Sequence, residues 1–244
     1  MTDPTARAHV FVDDLAAPRL AADDRHHLTR VLRLSAGAMV TVADGRGRWR
    51  SCRLGTGTDL EVVGDIVADP EPRPGITVAF ALVKGERPEL VVQKLTELGV
   101  DCIVPFAAER SVVRWDGDKA ARQLSRLTSI ARQAAMQSRR SWLPGVGLPV
   151  APDAEGSRDG AEDGLADFAA VVALPGAALA DRSGRSPSLA TPTVLVGPEG
   201  GWSATERAAE IPRVCLGEHV LRAETAALTA GALLGALRSR LVAE

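Results

Sequence analysis

The 244-residue chain is long enough for one large domain or two smaller ones, and its 45% hydrophobic content is sufficient to bury a core. Aromatic residues make up 3% of the chain and tyrosine is absent, which argues against a site built from several stacking rings. The formal net charge is -2, and the sequence opens with neither a signal peptide nor an 18-residue apolar span, so we expect a cytoplasmic protein without a membrane anchor.

Residues 1–70 have the pattern of a small, mostly β domain. Its β-type runs lie at residues 9–12, 39–43, 49–54 and 60–67. Asp44-Gly45 supplies a hairpin turn signal between the second and third runs. A helix is predicted over residues 25–33, with an apolar face formed by Leu28, Val31 and Leu32. Three prolines within residues 69–75 predict a stiff linker, so we place a domain boundary there.

From residue 76 onward, predicted strands and helices alternate. The strand-like runs lie at residues 76–83, 102–105, 168–174, 193–196 and 214–216. One helix is predicted over residues 88–98, between Pro88 and Gly99, and a longer one over residues 118–140. The alternation predicts a mainly parallel sheet flanked by helices, with ligand sites at the carboxyl ends of the strands.

The charges are unevenly distributed along the second part of the chain. Residues 110–140 contain eight basic and two acidic side chains, whereas residues 151–167 contain six acidic side chains and one arginine. A polyanion is therefore attracted to the first segment and repelled by the second. The acidic, glycine-rich residues 151–164 are predicted to form a mobile loop.

The sequence does not favour a metal site or a disulfide framework. Cys52, Cys102 and Cys215 are scattered through apolar runs without C-x-x-C spacing. His26 and His27 are adjacent and far in sequence from any cysteine pair. We therefore expect free, buried thiols and no bound metal.

The stretch TVLVGPEGGWSATE, residues 193–206, joins a buried strand to a helix through a glycine loop. Its S-x-x-E end is typical of a helix capping box. The loop lacks the lysine of a phosphate-binding loop and the G-x-G-x-x-G spacing of a dinucleotide site. Two interpretations stay open on these residues alone: a small polar pocket whose backbone a ligand can approach, or a tight turn that uses glycine for steric reasons.

Three stretches together resemble the RsmE family of RNA methyltransferases: KGERPELVVQKLTELG (84–99), LVGPEGG (195–201) and LGEHVLRAETA (216–226). The resemblance covers nearly the whole chain. It implies methylation of N3 of one uridine in 16S rRNA of the small ribosomal subunit, with S-adenosylmethionine as cofactor. It also implies an α/β fold with a C-terminal SPOUT trefoil-knotted parallel sheet in residues 76–244, a PUA-like RNA-binding β-barrel in residues 1–70, and a homodimer.

The resemblance also implies site residues. The expected cofactor-binding residues are Leu174, Gly197, Glu199, Gly200, Leu216, Gly217, Leu221 and Thr225. The expected RNA-binding residues are Arg25, Arg30, Lys84, Arg87, Arg110, Arg114, Gln137 and Arg140. For Glu199 a role at a helix start stands beside ligand contact, and the three leucines could be core residues.

Methylation at N3 needs a group that removes the N3 proton or a cation that stabilises the resulting anion. Our hypothesis is that Arg222 stabilises charge on a uracil carbonyl while Glu224 holds its guanidinium in place. A purely structural salt bridge between the two is the alternative. No residue in the sequence is an obvious base.

The chain departs from the family pattern at four positions: Met136 replaces a carboxylate, Arg139 a glycine, His219 an arginine and Ala223 a threonine. Two other functions therefore stay open. One is a SPOUT RNA methyltransferase with a different target, either a ribose 2′-hydroxyl or another base. The other is an RNA-binding protein without catalytic activity.

Overall fold

A computed structural model of the protein describes residues 3, 5–57, 59–149 and 165–243. The chain divides into two compact units. The first comprises Met1–Glu71 and Arg132–Leu143, and the second comprises Pro72–Ala131 and Pro144–Glu244. The predicted mobile loop at 151–164 lies outside the described residues.

The first unit contains a twisted, mostly antiparallel sheet. Its strands are β1 (Ala8–Phe11), β2 (Met39–Ala43), β3 (Arg48–Leu54), β4 (Leu60–Val62) and β5 (Val67–Ala68). They follow the order β1-β2-β3-β4, with β5 also paired to β3, and only the β1–β2 pair is parallel among these strands. The prediction of one strand over residues 60–67 is wrong, because the N–H groups of Val63 and Gly64 both donate to the Ser51 carbonyl and interrupt the ladder.

The helix of the first unit departs from the predicted periodicity. It consists of α1 (Ala22–His26) followed by a π-helical turn at His27–Val31. Leu28 is fully buried, but Val31 and Leu32 are 60% and 44% exposed, so the predicted apolar face is correct only at Leu28. The wider π turn explains this difference, since it rotates the later side chains away from the direction that an α-helix gives them.

The second unit contains a parallel sheet, as predicted. Its strands are β6 (Thr77–Ala81), β7 (Cys102–Ala107), β8 (Gly145–Val146), β9 (Ala166–Asp167), β10 (Ala177–Arg185), β11 (Thr193–Val196) and β12 (Arg213–Val214). The order is β12-β10-β11-β6-β7-β8, with β9 also paired to β7, and every pair in the described part of this sheet is parallel.

Helices cover both faces of this sheet. They are α2 (Arg87–Glu97), α3 (Gly117–Gln137), α4 (Phe168–Val172), α5 (Ala204–Arg207) and α6 (Ala223–Arg238). Val78 and Phe80 belong to the core beneath α2 and α6, whereas Ala79 belongs to the core around Trp202 on the other face. Helix α6 follows the edge strand β12 but packs on the central strands β6 and β11. The knot that we predicted for this C-terminal segment stays a prediction.

One predicted strand of the second unit is wrong. Residues 168–174 form α4 and a turn, because the Asp167 side chain caps the helix by accepting from the Ala170 N–H at 2.8 Å. Gly176, with φ of 66°, then reverses the chain, and β10 begins at Ala177. In the described ranges, no helix has the length and apolar character needed to cross a membrane.

Candidate active site

Three loops meet at one edge of the parallel sheet in the second unit. Residues 82–86 follow β6, residues 197–203 follow β11 and residues 215–222 follow β12. Parallel strands place their carboxyl ends on the same side of a sheet. The fold therefore gathers the three separate sequence stretches whose pattern suggested a function.

Arg87 connects these loops through two carboxylates. It lies at the start of α2, and its Nη1 donates to Oε1 of Glu199 in the loop after β11. Its Nε lies 3.7 Å from Oε1 of Glu224, in the first turn of α6. The Glu199 side chain is 51% exposed and that of Glu224 is 14% exposed. The pair with Glu224 is therefore the better shielded from water and salt.

Glu224 has one carboxylate oxygen without a partner. Oε2 is buried and accepts no hydrogen bond from any part of the chain that the structure describes. Arg222, the N-cap of α6, is exposed, and no hydrogen bond or ion pair joins it to Glu224 among the described residues. The structure thus pairs Glu224 with Arg87, whereas our sequence hypothesis paired it with Arg222.

The glycine loop after β11 is held by contacts of Trp202, Ser203 and Glu206. A Cβ atom on Gly197 would lie 2.9 Å from the ring of Trp202, whose Nε1 donates to the Ala180 carbonyl at 3.0 Å. The capping box predicted at Ser203 is confirmed, with Glu206 as its second member. Because the 2% exposed Glu206 also accepts from the Glu109 N–H at 2.8 Å, the loop after β7 is fixed to the same element.

The loop after β12 offers donors to a ligand. In the described structure, the backbone N–H groups of residues 217–221 make no hydrogen bond within the chain. Gly217 has open space where a side chain would stand. Leu216 is partly buried against the core, and Thr225 is exposed in the first turn of α6. Unpaired N–H groups beside open space suit a nucleoside cofactor with a carboxylate tail.

The structure does not bring Leu174 to this edge. Its N–H donates to the Val171 carbonyl, and it precedes β10, so it lies at the amino ends of the strands. Ala180 and Asp181 directly follow the segment of β10 that pairs with β11, Ala177–Leu179. They were not among the predicted site residues, because this strand was predicted too early in the chain. The Asp-x-Ser pattern at residues 181–183 is a turn signal in the sequence that marks this position. In the structure the Ser183 N–H and hydroxyl donate to the Asp181 carboxylate and lower its pKa.

Comparison with known proteins agrees with this geometry. Residues 70–235 match the RNA methyltransferase domain model, and residues 20–65 match the RNA methyltransferase PUA domain model. Ribosomal RNA small subunit methyltransferase E of Mycobacterium bovis is 34% identical over 94% of this chain and 92% of its own length. The chain belongs to the ribosomal RNA small subunit methyltransferase E family.

Two solved structures are similar to this chain in their three-dimensional fold. A probable rRNA-methyltransferase from Porphyromonas gingivalis superposes with a TM-score of 0.74 at 27% identity, covering 96% of this chain and all of the other. The Neisseria gonorrhoeae methyltransferase E, bound to S-adenosyl methionine, gives 0.74 at 25% identity, covering 96% and 97% of the two chains. The predicted SPOUT fold class with a PUA-like N-terminal domain is confirmed.

Two departures from the methyltransferase E pattern have local explanations in the first unit. Arg139 adopts φ of 56°, a conformation that favours the glycine of the family pattern, and its Nη2 donates to the Ala6 carbonyl at 2.7 Å. Met136 packs against the apolar clusters and accepts a 3.3 Å contact from Arg132. Both replacements therefore make structural contacts. The structure gives no explanation for His219 or Ala223.

The predicted RNA-binding residues of this methyltransferase E chain fall into two groups. Exposed side chains are those of Arg30, Lys84, Arg110, Arg114 and Gln137. The others make contacts inside the protein: Arg25 donates to the Gly55 carbonyl at 3.0 Å, Arg87 pairs with the two carboxylates, and the Arg140 carbonyl accepts from His9. Of the exposed group, Arg110 also donates to the Gly200 carbonyl, at 3.3 Å.

None of the three cysteines forms a disulfide within the described residues. The prediction that all three are buried is wrong for Cys102 and Cys215, which are half-buried. Cys52 is fully buried, and burial raises the pKa of its thiol to about 11. Within the described ranges, no group of three or more histidine, cysteine or acidic side chains is arranged to hold a metal ion. The expectation of a metal-free site stays a prediction.

Proposed function

We propose that this protein transfers a methyl group from S-adenosylmethionine to N3 of one specific uridine in 16S rRNA of the small ribosomal subunit. The observation that carries this proposal is the joining of three sheet-edge loops by Arg87, Glu199 and Glu224 in a chain of the methyltransferase E family. The cofactor, when bound, supplies a methyl group on a sulfonium, a leaving group that needs no metal.

The cofactor pocket is proposed between the loops after β11 and β12. Gly217 leaves open space for a ligand, and the unpaired N–H groups of residues 217–221 can bond its polar groups. Gly197 and Gly200 belong to the proposed pocket through their backbone groups. Glu199, Leu216, Leu221 and Thr225 complete the proposed pocket. Arg222 is proposed to stabilise charge on the uracil, since its side chain is exposed at this edge.

RNA binding is assigned to both parts of the chain. Residues 1–70 are proposed as the RNA-binding domain and residues 76–244 as the methyltransferase domain, with 132–143 completing the compact unit of the former. Lys84, Arg110 and Arg114 are exposed cations in the loops after β6 and β7, where phosphates of a bound RNA are expected. A homodimer and a cytoplasmic location complete the proposal.

The decisive experiment is transfer of labelled methyl from S-adenosylmethionine to small ribosomal subunits from a strain that lacks the endogenous activity. The modified nucleoside is identified by mass after digestion. We expect 3-methyluridine at one site. Binding of cofactor with modification of another nucleoside would assign a different target, and absence of both binding and transfer would favour a non-catalytic RNA-binding protein.

A further inference from the structure

We infer that Glu224 takes the N3 proton of the target uridine, and that Arg87 is the positioning residue that holds its carboxylate for this task. The inference rests on the proposed function. It assigns the proton acceptor that sequence analysis could not identify.

The two carboxylate oxygens of Glu224 differ in their surroundings. Oε1 faces the Arg87 guanidinium, while Oε2 is buried and has no donor within the described chain. A buried carboxylate oxygen without a donor is rare in folded proteins, and at a functional site it is open to a donor from substrate, cofactor or solvent. The uridine N3–H is such a donor.

Glu224 differs from the two other glutamates considered near this edge of the sheet, Glu199 and Glu206. Glu199 also pairs with Arg87, but its side chain is 51% exposed, so water can hydrogen-bond its other oxygen. Glu206 is buried, yet its oxygens accept from the N–H groups of Glu109 and Ser203, each at 2.8 Å. Among these three, only Glu224 combines burial with a free acceptor.

Residues 217–220 lie on the approach to Glu224. They are exposed, and their N–H groups make no hydrogen bond within the described chain, while the Gly217 carbonyl accepts from the Cys215 thiol at 3.3 Å. This loop leads directly into the first turn of α6, which carries Glu224. A nucleoside bound at this sheet edge therefore lies beside the turn that carries Glu224.

The chemical step balances in atoms and electrons. The N3–H bond breaks and the proton moves to Oε2 of Glu224. The electron pair left on N3 forms the new bond to the methyl carbon, and the pair of the old methyl bond remains on sulfur. The Arg87 guanidinium keeps the accepting carboxylate oriented until the proton arrives.

The test is a comparison of Glu224→Gln, which keeps the size of the side chain but removes the basic oxygen, with the unchanged protein. We expect kcat for methyl transfer to fall by about 10²-fold or more while the Kd for S-adenosylmethionine and for RNA changes less than threefold. Subunits that carry 5-fluorouridine at the target should restore much of the loss, because the N3 proton of that base is more acidic. A merely structural residue would show no such rescue.

Arg87 is tested through a double-mutant cycle with Arg87→Gln. If it acts through Glu224, adding this change to Glu224→Gln should lower kcat by less than threefold further. Arg126→Gln is the matched control, because it removes another ion pair of α2, the 2.9 Å pair with Glu89, outside the proposed site. Fully multiplicative losses would overturn the positioning role.

Separate outcomes address the inference and the proposed function. If the unchanged protein forms no 3-methyluridine, the proposed function fails. If it does, and Glu224→Gln retains kcat within threefold or mainly weakens cofactor binding, Glu224 is not the proton acceptor and the proposed function stands. Should the glutamine variant fail to fold, Glu224→Asp is subjected to the same base-rescue comparison.

Discussion

At the scale of single residues, the site depends on how a few charges are paired. Sequence analysis assigned Arg87 to RNA and Arg222 to Glu224, yet the structure places Arg87 on both Glu199 and Glu224. An arginine fork can bond two carboxylates from different loops at once, which a sequence pattern cannot reveal. Arg222 is consequently left exposed and available to the substrate.

We predict that Arg222→Ala lowers kcat by about 10²- to 10³-fold without changing the Kd for S-adenosylmethionine, because a cation facing developing charge contributes mainly in the transition state. Single-turnover methyl transfer and equilibrium cofactor binding measure the two effects. Arg122→Ala, an exposed arginine on α3, is the matched control and should retain activity. Near-normal kcat in Arg222→Ala would remove Arg222 from the mechanism.

His9 in the first unit predicts a pH dependence of stability. Burial lowers the pKa of its imidazole from the ordinary 6.5 to about 4. Its Nε2 donates to the Arg140 carbonyl at 2.9 Å, which fixes the tautomer and leaves Nδ1 to accept from the Thr41 hydroxyl at 2.8 Å. The folded protein therefore holds this ring neutral at a pH where the unfolded chain protonates it.

The stabilisation from the neutral ring is fully present above pH 6.5 and is lost as pH falls toward 4. The loss amounts to about 3 kcal/mol across this window. Urea unfolding at several pH values should show a weaker pH dependence for His9→Gln than for the unchanged protein. His219→Gln, at an exposed position, serves as the control. If the free energy of unfolding depends on pH with the same slope in all three proteins, His9 is not the source of the pH dependence.

At the scale of secondary structure, the short helices depend more on their capping side chains than on the helix propensity of their residues. Helix α5 has only four residues, and the reciprocal bonds of Ser203 and Glu206 satisfy its first N–H groups. Asp167 caps α4 in a similar way and turns an apolar, strand-like sequence into a helix. In both cases one polar side chain decides the backbone conformation of the residues that follow.

We predict that Ser203→Ala destabilises the protein by about 1 kcal/mol, since it removes the acceptor of the Glu206 N–H. Chemical unfolding followed by circular dichroism measures the change. Thr205→Ala, at an exposed position of the same helix, should stay within about 0.5 kcal/mol of the unchanged protein. A similar effect of both changes would mean that the cap contributes little.

At the scale of the whole molecule, a net charge of -2 conceals a local excess of positive charge. Part of that excess is neutralised, because Arg126 pairs with Glu89 and Arg132 pairs with Asp24. Lys84, Arg110 and Arg114 remain exposed near the proposed active site. They are the cations of the second unit that we expect to meet phosphates.

We predict that changing Lys84, Arg110 and Arg114 together to glutamine weakens RNA binding and reduces its salt dependence. Each lost phosphate contact should lower the slope of log K against log salt by about one. Filter binding at several salt concentrations measures this slope. In the control protein, Arg182 and Arg185, two exposed arginines on β10, are changed to glutamine instead. An unchanged slope would exclude the three residues from the RNA interface.

Much of the fold was predictable because local signals agree with it. β2 and β11 occur at the predicted residues, and α2 begins beside Pro88 and ends before Gly99, as expected. The errors arose where local structure departs from the hydrophobic pattern. The Asp167 cap produces a helix at α4, and the π turn after α1 changes the direction of the side chains that follow. The predicted site residues that follow parallel strands lie at one edge of the sheet, and their roles stay predictions. Leu174 lies elsewhere, because the strand predicted at residues 168–174 is a helix and a turn.

The sequence by itself determined the strand and helix alternation and the glycine loop with its capping box, because each depends on residues close together in the chain. It also determined the resemblance to the methyltransferase E family, because that resemblance is carried by three local stretches. Only the tertiary structure decided that Arg87 joins Glu199 and Glu224 and that one Glu224 oxygen lacks a partner. Those facts depend on residues more than a hundred positions apart, whose meeting is set by the order of strands in the sheet.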